Sequence, residues 1–338
     1  TLDGGASSLS FDCSDEGTST VTLTVTDVNG NVSTCTATVT VENNIIPTVS
    51  CQNITIYLDA AGNVSIVAAD VDGGSNAACG IASLAIDQDS FTCANVGPNT
   101  VTLTGTEDNS GNISTCASTV TVLDTISPSA VCQNITVQLD ANGDLTIASA
   151  DIDGGSVDNC AVATLTIDGG NTTQDFDCSN VGANTVTLTV TDVNGNVSTC
   201  DAIVTVEDNI DPSAVCQDIT VQLDANGDLT IVSADIDGGS ADNCGIASLT
   251  IDGGNTFEDF DCSQVGTNTV TLTVTDVNGN VSTCDATVTV EDNVDPTAVC
   301  QNITVQLDAN GDLTTTSADI DGGSNDACGI ASLEIDGG

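Results

Sequence analysis

Thr185-Val186-Thr187-Leu188-Thr189-Val190-Thr191 alternates strictly between threonine and an aliphatic residue. A strand turns successive side chains to opposite faces, so Val186, Leu188 and Val190 share one face and the threonines share the other. β-Branched residues at nearly every position favour that pleated, half-buried state. Asp192-Val193-Asn194-Gly195-Asn196 follows, and an Asn-Gly pair between alternating runs signals a hairpin. The chain returns through Cys200, Ala202, Val204 and Val206, again at period two. The same hairpin recurs at 270–290 and at 21–41.

Upstream of this hairpin, Ile135, Val137 and Leu139 form a strand, and Asp140-Ala141-Asn142-Gly143-Asp144 makes a second tight turn. Leu145–Ile152 and Ala161–Ile167 read as further strands, and no stretch shows helical periodicity. Phe11, Phe91, Phe176 and Phe260 each stand two residues before a cysteine, the place for one aromatic core plug per repeat. The whole pattern is copied. Residues 126–209 align without gaps on residues 210–293, 84 residues each, with about a dozen differences. Self-similarity at a fixed period marks a repeat architecture. The expected units are 1–44 (the back half of a repeat), 45–125, 126–209, 210–293 and 294–338 (the front half of another). Pro47, Pro128, Pro212 and Pro296 mark the boundaries, where a fixed φ stops the preceding strand. Six or seven short strands per unit, with a turn every 8–12 residues, predict an all-β fold of tandem immunoglobulin-like β-sandwiches forming an extended rod. Thr1 falls in mid-repeat without an initiator methionine, which reads as a window on a longer chain.

Composition narrows the function. The 338 residues include 49 Asp and Glu and no Lys, Arg, His, Met or Trp, a formal charge of −49. Nothing can neutralise a phosphate, which excludes nucleic acid and anionic membranes as partners. No run approaches the ~20 apolar residues that span a bilayer, and no signal peptide is present. Without imidazole, amine or guanidinium, most acid–base and covalent catalysis is unavailable. Paired carboxylates could suggest a glycosidase, but the same acids recur in every unit, so no enzyme is expected. A 39% hydrophobic content argues against disorder. Sixteen cysteines without a Cys-x-x-Cys pair point to disulfides in an oxidising, extracellular setting rather than to zinc.

Val265-Gly266-Thr267-Asn268 through the hairpin to Cys284, followed by a Val-rich strand ending Glu291-Asp292, resembles the C-terminal half of a hyalin-repeat (HYR) domain. Cys-Gln-Asn-Ile-Thr-Val after the linker proline and Asp242-Asn243-Cys244-Gly245 resemble its N-terminal half. The resemblance covers every unit. It implies an Ig-like fold and an adhesive or stalk role, as in giant surface adhesins of gliding Bacteroidota exported by the type IX system. The Phe-x-Cys cysteine departs from the common pattern, so the family's pairing is not carried over.

Each complete unit has four cysteines, which allow three pairings. The first opens the first strand and the fourth lies near the start of the last, so both belong at one end of a unit. The second and third flank a turn, as a cross-hairpin bridge requires. The expected bridges are therefore Cys51–Cys116, Cys132–Cys200 and Cys216–Cys284, with Cys79–Cys93, Cys160–Cys178 and Cys244–Cys262. Cys132 is out of phase with Ile135, Val137 and Leu139, which calls for a bend. A rival pairing joins the fourth cysteine to the first of the next unit, 16 residues on.

The acids cluster at the unit boundaries. Glu207, Asp208 and Asp211 lie at one junction, and the loop with Asp235, Asp237 and Asp242 should fold back to it. The hairpin turn carrying Asp276, Asn278 and Asn280 is expected there too. Glu291, Asp292, Asp295, Asp319, Asp321 and Asp326 form the corresponding set at the next junction. With no basic residue to relieve the repulsion, a hard divalent cation with oxygen ligands fits, and calcium accepts six to eight. The junction also resembles the cadherin linker, where calcium stiffens a domain boundary. The junctions after Glu42 and Asp124 lack the full set, so those at 207–211 and 291–295 are expected to bind best. Asp140–Asp144 resembles the start of an EF-hand loop but degenerates at Asp59–Asn63, and reads as a hairpin turn. Asn134 and Asn196 lie in glycosylation sequons, and Asp124-Thr125-Ile126 resembles a bacterial O-glycosylation acceptor. Ice-binding arrays need flatter Thr rows than twisted strands provide.

The function expected from these residues is a repetitive stalk of a large extracellular cell-surface adhesin, its partners being neighbouring repeats and, through a tip outside this window, a surface or glycan ligand. At ~3.3 Å per strand residue each unit is roughly 40 Å long. Trypsin-like proteases find no site in the chain, and lysine isopeptide cross-links are impossible, so cystine must supply covalent rigidity. A self-assembling structural filament is the alternative. A carbohydrate-binding array fits less well, with one Tyr and five Phe.

Overall fold

The computed structural model describes residues 1–2 and 5–336. Strands take 49% of the residues and helical turns 8%, and the described residues of 294–338 carry isolated bridges and one helical turn but no strand. Two compact units make up the chain. One holds residues 1–133, 148–173 and 186–202, and the other residues 134–147, 174–185 and 203–338.

In the second unit, the repeat 210–293 is a sandwich of a four-stranded and a two-stranded sheet. The large sheet runs Ile219–Gln222, Val281–Glu291, Gly266–Asp276, Ile246–Ile251 in spatial order. Ile219–Gln222 is parallel to Val281–Glu291, and the other pairs are antiparallel. The small sheet pairs Asp228–Val232 with Phe257–Asp261. Val270, Leu272 and Val274 alternate inward and meet Val288, Val290 and Phe260 between the sheets. In the same unit, Ile135–Gln138 runs parallel to Val204–Glu207.

The first unit repeats the plan. Ile54–Tyr57, Ile113–Leu123, Gly97–Glu107 and Ile81–Ile86 form its four-stranded sheet, and Asn63–Ser65 pairs with Ser90–Thr92. Val162–Ile167 pairs antiparallel with the segment 188–192. Residues 1–44 supply the hairpin Gly17–Thr26 and Val32–Val41. Phe91, Phe176 and Phe260 are buried, as core plugs should be, but Phe11 is 39% exposed. Among the described residues, its copy has a hairpin and no facing sheet to close over the ring.

One strand expectation is corrected. The strand expected at Leu145–Ile152 stops at Ala148, and Ser149–Ile152 forms a helical turn. The cause is Asp151, whose carboxylate accepts from the Ala148 N–H at 2.7 Å and pulls the chain out of the ladder. The bend near the first cysteine is a change of partner. Cys216 bridges to Asp237, and from Ile219 the chain pairs with Val288 instead. Between them, Asp218 accepts from the Thr287 N–H at 2.7 Å and covers the switch.

One core difference between repeats has a measurable consequence. Gly105 occupies the position of Val274, and a Cβ added there would lie 2.7 Å from Val49 Cγ2. In the repeat 210–293 the residue matching Val49 is Ala214, which packs against the core that includes Val274. Volume is conserved by exchange across the pair. Gly105→Val alone should destabilise by about 1–3 kcal/mol. Val49→Ala in the same chain should restore most of that loss, read as a coupling energy in urea unfolding. Additive effects would contradict the exchange.

Candidate metal centre

The bridges frame the site. Cys51–Cys116, Cys132–Cys200 and Cys216–Cys284 join the first cysteine of each complete repeat to its fourth. The expected Cys79–Cys93, Cys160–Cys178 and Cys244–Cys262 do not form. The third cysteine of each repeat instead joins the second of the next: Cys13–Cys79, Cys93–Cys160, Cys178–Cys244 and Cys262–Cys328. The physical reason lies in the sheets. The two strands flanked by these cysteines are not a hairpin. Ile246–Ile251 pairs with Gly266–Asp276, whereas Phe257–Asp261 pairs with Asp228–Val232 in the other sheet. The turn between them crosses from sheet to sheet, and the cysteines at their far ends diverge. The rival pairing fails as well, because Cys116, Cys200 and Cys284 are already bound within their repeats and Cys51, the partner Cys35 would need, is bound to Cys116. Cys35 and Cys300 are free and exposed.

A carboxylate trio forms beside the Cys178–Cys244 bridge. Asp208, Asp242 and Asp276 each bring an oxygen within 4.8 Å of the others. Asp208 follows the strand Val197–Glu207 and is 5% exposed, while Asp276 begins the hairpin turn and is 1% exposed. Asp276 is held hardest. Its Oδ1 accepts from the N–H groups of Asn278, Gly279 and Asn280, and its Oδ2 from the Asn280 amide at 2.7 Å. Burial pushes this carboxyl up, but the Asn280 side chain and the turn's N–H groups outweigh it and hold the pKa below its ordinary value. Asp242 Oδ2 accepts from the Cys244 and Gly245 N–H groups. Asp208 Oδ1 accepts from the Ile210 N–H and the Asn243 amide. The Asn280 amide also reaches the Asp208 carbonyl at 3.0 Å, fastening the hairpin to the linker.

Four oxygens remain buried without a partner: Asp208 Oδ2, Asp242 Oδ1, Asn243 Oδ1 and Asn278 Oδ1. Three carboxylates at this spacing repel by about 3 kcal/mol per pair at an effective dielectric of 20. Buried acceptors of this kind demand a donor or a cation. Carboxylate and amide oxygens without nitrogen or sulfur are the donor set of a hard cation such as calcium, so the residues fit the expected metal.

The same trio stands at Asp124, Asp158 and Asp192. Asp124 is 8% and Asp192 2% exposed, and Asp124 Oδ2, Asp158 Oδ1 and Asn159 Oδ1 lack partners. Asp192 resembles Asp276: burial raises it, and donors from Asn196, Asn194 and Gly195 leave it net lowered. The Asp124 junction, ranked below the next two from sequence, thus has the same three acids as the Asp208 junction. The third group, Asp292, Asp326 and Cys328, offers two carboxylates, because Cys328 is tied to Cys262 and is no thiolate.

The junction after Glu42 shows how the fold closes without the trio. Asn43 and Ala77 replace two of the acids, and the third is Glu107, 1% exposed. Its longer side chain accepts from the Cys79 N–H at 3.0 Å, the Ser110 hydroxyl at 2.9 Å and the Asn112 amide at 3.3 Å. One carboxylate with three donors needs no ion.

Of the residues expected as ligands, Asp208 and Asp242 meet at the first site, and Asp292 and Asp326 meet at the next. Glu207 and Glu291 instead accept from Gln138 and Gln222, each at 2.7 Å. Asp211 and Asp295 are exposed. Asp235 and Asp319 cap helical turns through the Val232 and Thr316 N–H groups. Asp237 and Asp321 accept from Ser240 and Ser324 within the Asp-x-Asp-Gly-Gly-Ser turn. That turn, common to four copies, is a fastening: the Gly238 N–H donates to the Val215 carbonyl at 2.7 Å.

No family model and no curated protein matches this chain. Among solved structures it is similar to the protocadherin gamma B7 extracellular cadherin domains 1–4, at 14% identity and TM-score 0.31, covering 82% of this chain and 84% of that one. It is also similar to the sidekick-1 immunoglobulin domains 1–5, at 11% identity and TM-score 0.34, covering 84% and 68%.

Proposed function

We propose that this chain is a repetitive stalk segment of a large extracellular surface adhesin, with calcium held at its repeat junctions. The repeats 45–125, 126–209 and 210–293 are its successive Ig-like units. The observation that carries the metal is the set of buried, partnerless oxygens around Asp208 and Asp124 in a chain with no basic side chain. Asp208, Asp242 and Asp276 would hold one ion, with the Asn243 and Asn278 amide oxygens available to it. Asp124, Asp158 and Asp192 would hold another. Bound calcium would supply the positive charge that lets linker, loop and hairpin close on one another. Disulfides in every repeat suit an oxidising, extracellular place of work.

The test is calcium titration of the chain by calorimetry, followed by melting with calcium and with chelator. Extracellular modules bind at roughly 10⁻⁴–10⁻³ M, and saturation should raise the melting midpoint by several degrees. Absence of binding heat together with an unchanged midpoint would end the metal reading.

A further inference from the structure

The four bridges between successive repeats have a mechanical consequence. We propose that they make the chain a load-bearing tether whose extension is capped by its covalent topology, whether or not its repeats stay folded. From Cys13 the bonds pass directly to Cys79, along the chain to Cys93, across to Cys160, along to Cys178, across to Cys244, along to Cys262 and across to Cys328. Only residues 79–93, 160–178 and 244–262 lie on that path, 14, 18 and 18 residue steps. The linkers, the prolines and the long hairpins are bypassed, and pulling does not reach them through bonds. At up to ~3.5 Å per residue the path from Cys13 to Cys328 becomes taut near 200 Å, against about 1,100 Å for the same chain without bridges.

The fold is shaped around these bridges. Gly62, Gly143 and Gly227 sit at positive φ in the turn of the small sheet. A Cβ on them would lie 2.8, 2.6 and 2.6 Å from the sulfurs of Cys93, Cys178 and Cys262. The Asn243 carbonyl lies 3.5 Å from Cys178 Sγ, so the bridge is packed from both repeats. The within-repeat bridges lie off the path and carry load only when one of the four is missing.

Single-molecule pulling of the 338-residue chain from its ends, with Cys35 and Cys300 alkylated, reads the cap directly. The oxidised chain should stop extending between Cys13 and Cys328 near 200 Å. With dithiothreitol the same span should lengthen about fivefold. Cys93→Ser with Cys160→Ser should release roughly 120 Å rather than a whole repeat, because Cys51–Cys116 and Cys132–Cys200 then offer the next shortest detour. Full-length extension without reductant would overturn the proposal. A digest that needs no folded chain checks the connectivity. Cleavage at glutamates in urea should leave a single unreduced species, apart from residues 17–42 and 335–338. Its separation at Glu207 without reductant would also overturn the proposal.

Discussion

Asp208→Asn is expected to weaken the calcium-bound chain while leaving the calcium-free chain as stable as the parent or more so. Asparagine is the chain's own alternative at this position. Asn43 accepts from the Ile45 N–H through its side-chain oxygen at 3.0 Å, as Asp208 accepts from Ile210, so the linker keeps its local bond. What changes is the second oxygen, buried and without a partner in Asp208. In chelator, its replacement removes one charge from three crowded carboxylates, which should gain about 1 kcal/mol. In calcium at a hundredfold excess over the dissociation constant, one site is worth about 2.7 kcal/mol. Most of that should vanish, and the stoichiometry should fall by one while the Asp124 site still binds. A substitution with the same sign in both conditions would show that Asp208 is a solvated turn acid.

The strands were legible because a period of two survives in threonine-rich sequence. Val186, Leu188 and Val190 are buried at 2% or less, as their alternation requires. The site was only partly legible. Loop acids look alike in sequence whether they cap a turn or face a cavity. Asp237 and Asp242 are five residues apart, and the difference between them is that Ser240 satisfies one, while the other keeps an oxygen free. Asp276 stood in the turn expected at the junction, yet its weight as a third carboxylate appears only when Asp208 packs beside it. The bridge between repeats escaped because adjacent cysteines around a turn suggest a hairpin. The spacing held a counter-signal. Third-to-next-second separations are 66, 67, 66 and 66, whereas the second-to-third separation changes from 14 to 18.

Full reduction is expected to unfold the repeats below body temperature, a larger effect than any single substitution in the core. Each bridge closes 65 to 68 residues, for which the chain-entropy model gives about 4 kcal/mol. Against that stands a core with one buried aromatic, Phe260, among valines, leucines and isoleucines. Domains of this size hold a net stability of order 5–10 kcal/mol. Losing the bridge within a repeat and those to its neighbours should therefore remove most of it. Cys216→Ser with Cys284→Ser isolates one contribution: the bridge ties the segment before Ile219 to the long strand Val281–Glu291. That variant should lose roughly 4 kcal/mol in urea unfolding, while the other bridges keep the chain continuous. Calcium and cystine act at different places here, one offsetting charge in the folded state and the other restricting the unfolded chain. Their contributions should therefore add, and a reduced chain in saturating calcium should still melt far below the oxidised chain in chelator. If calcium alone restored the oxidised midpoint, the bridges would be incidental to stability and the cation would be holding the repeats together.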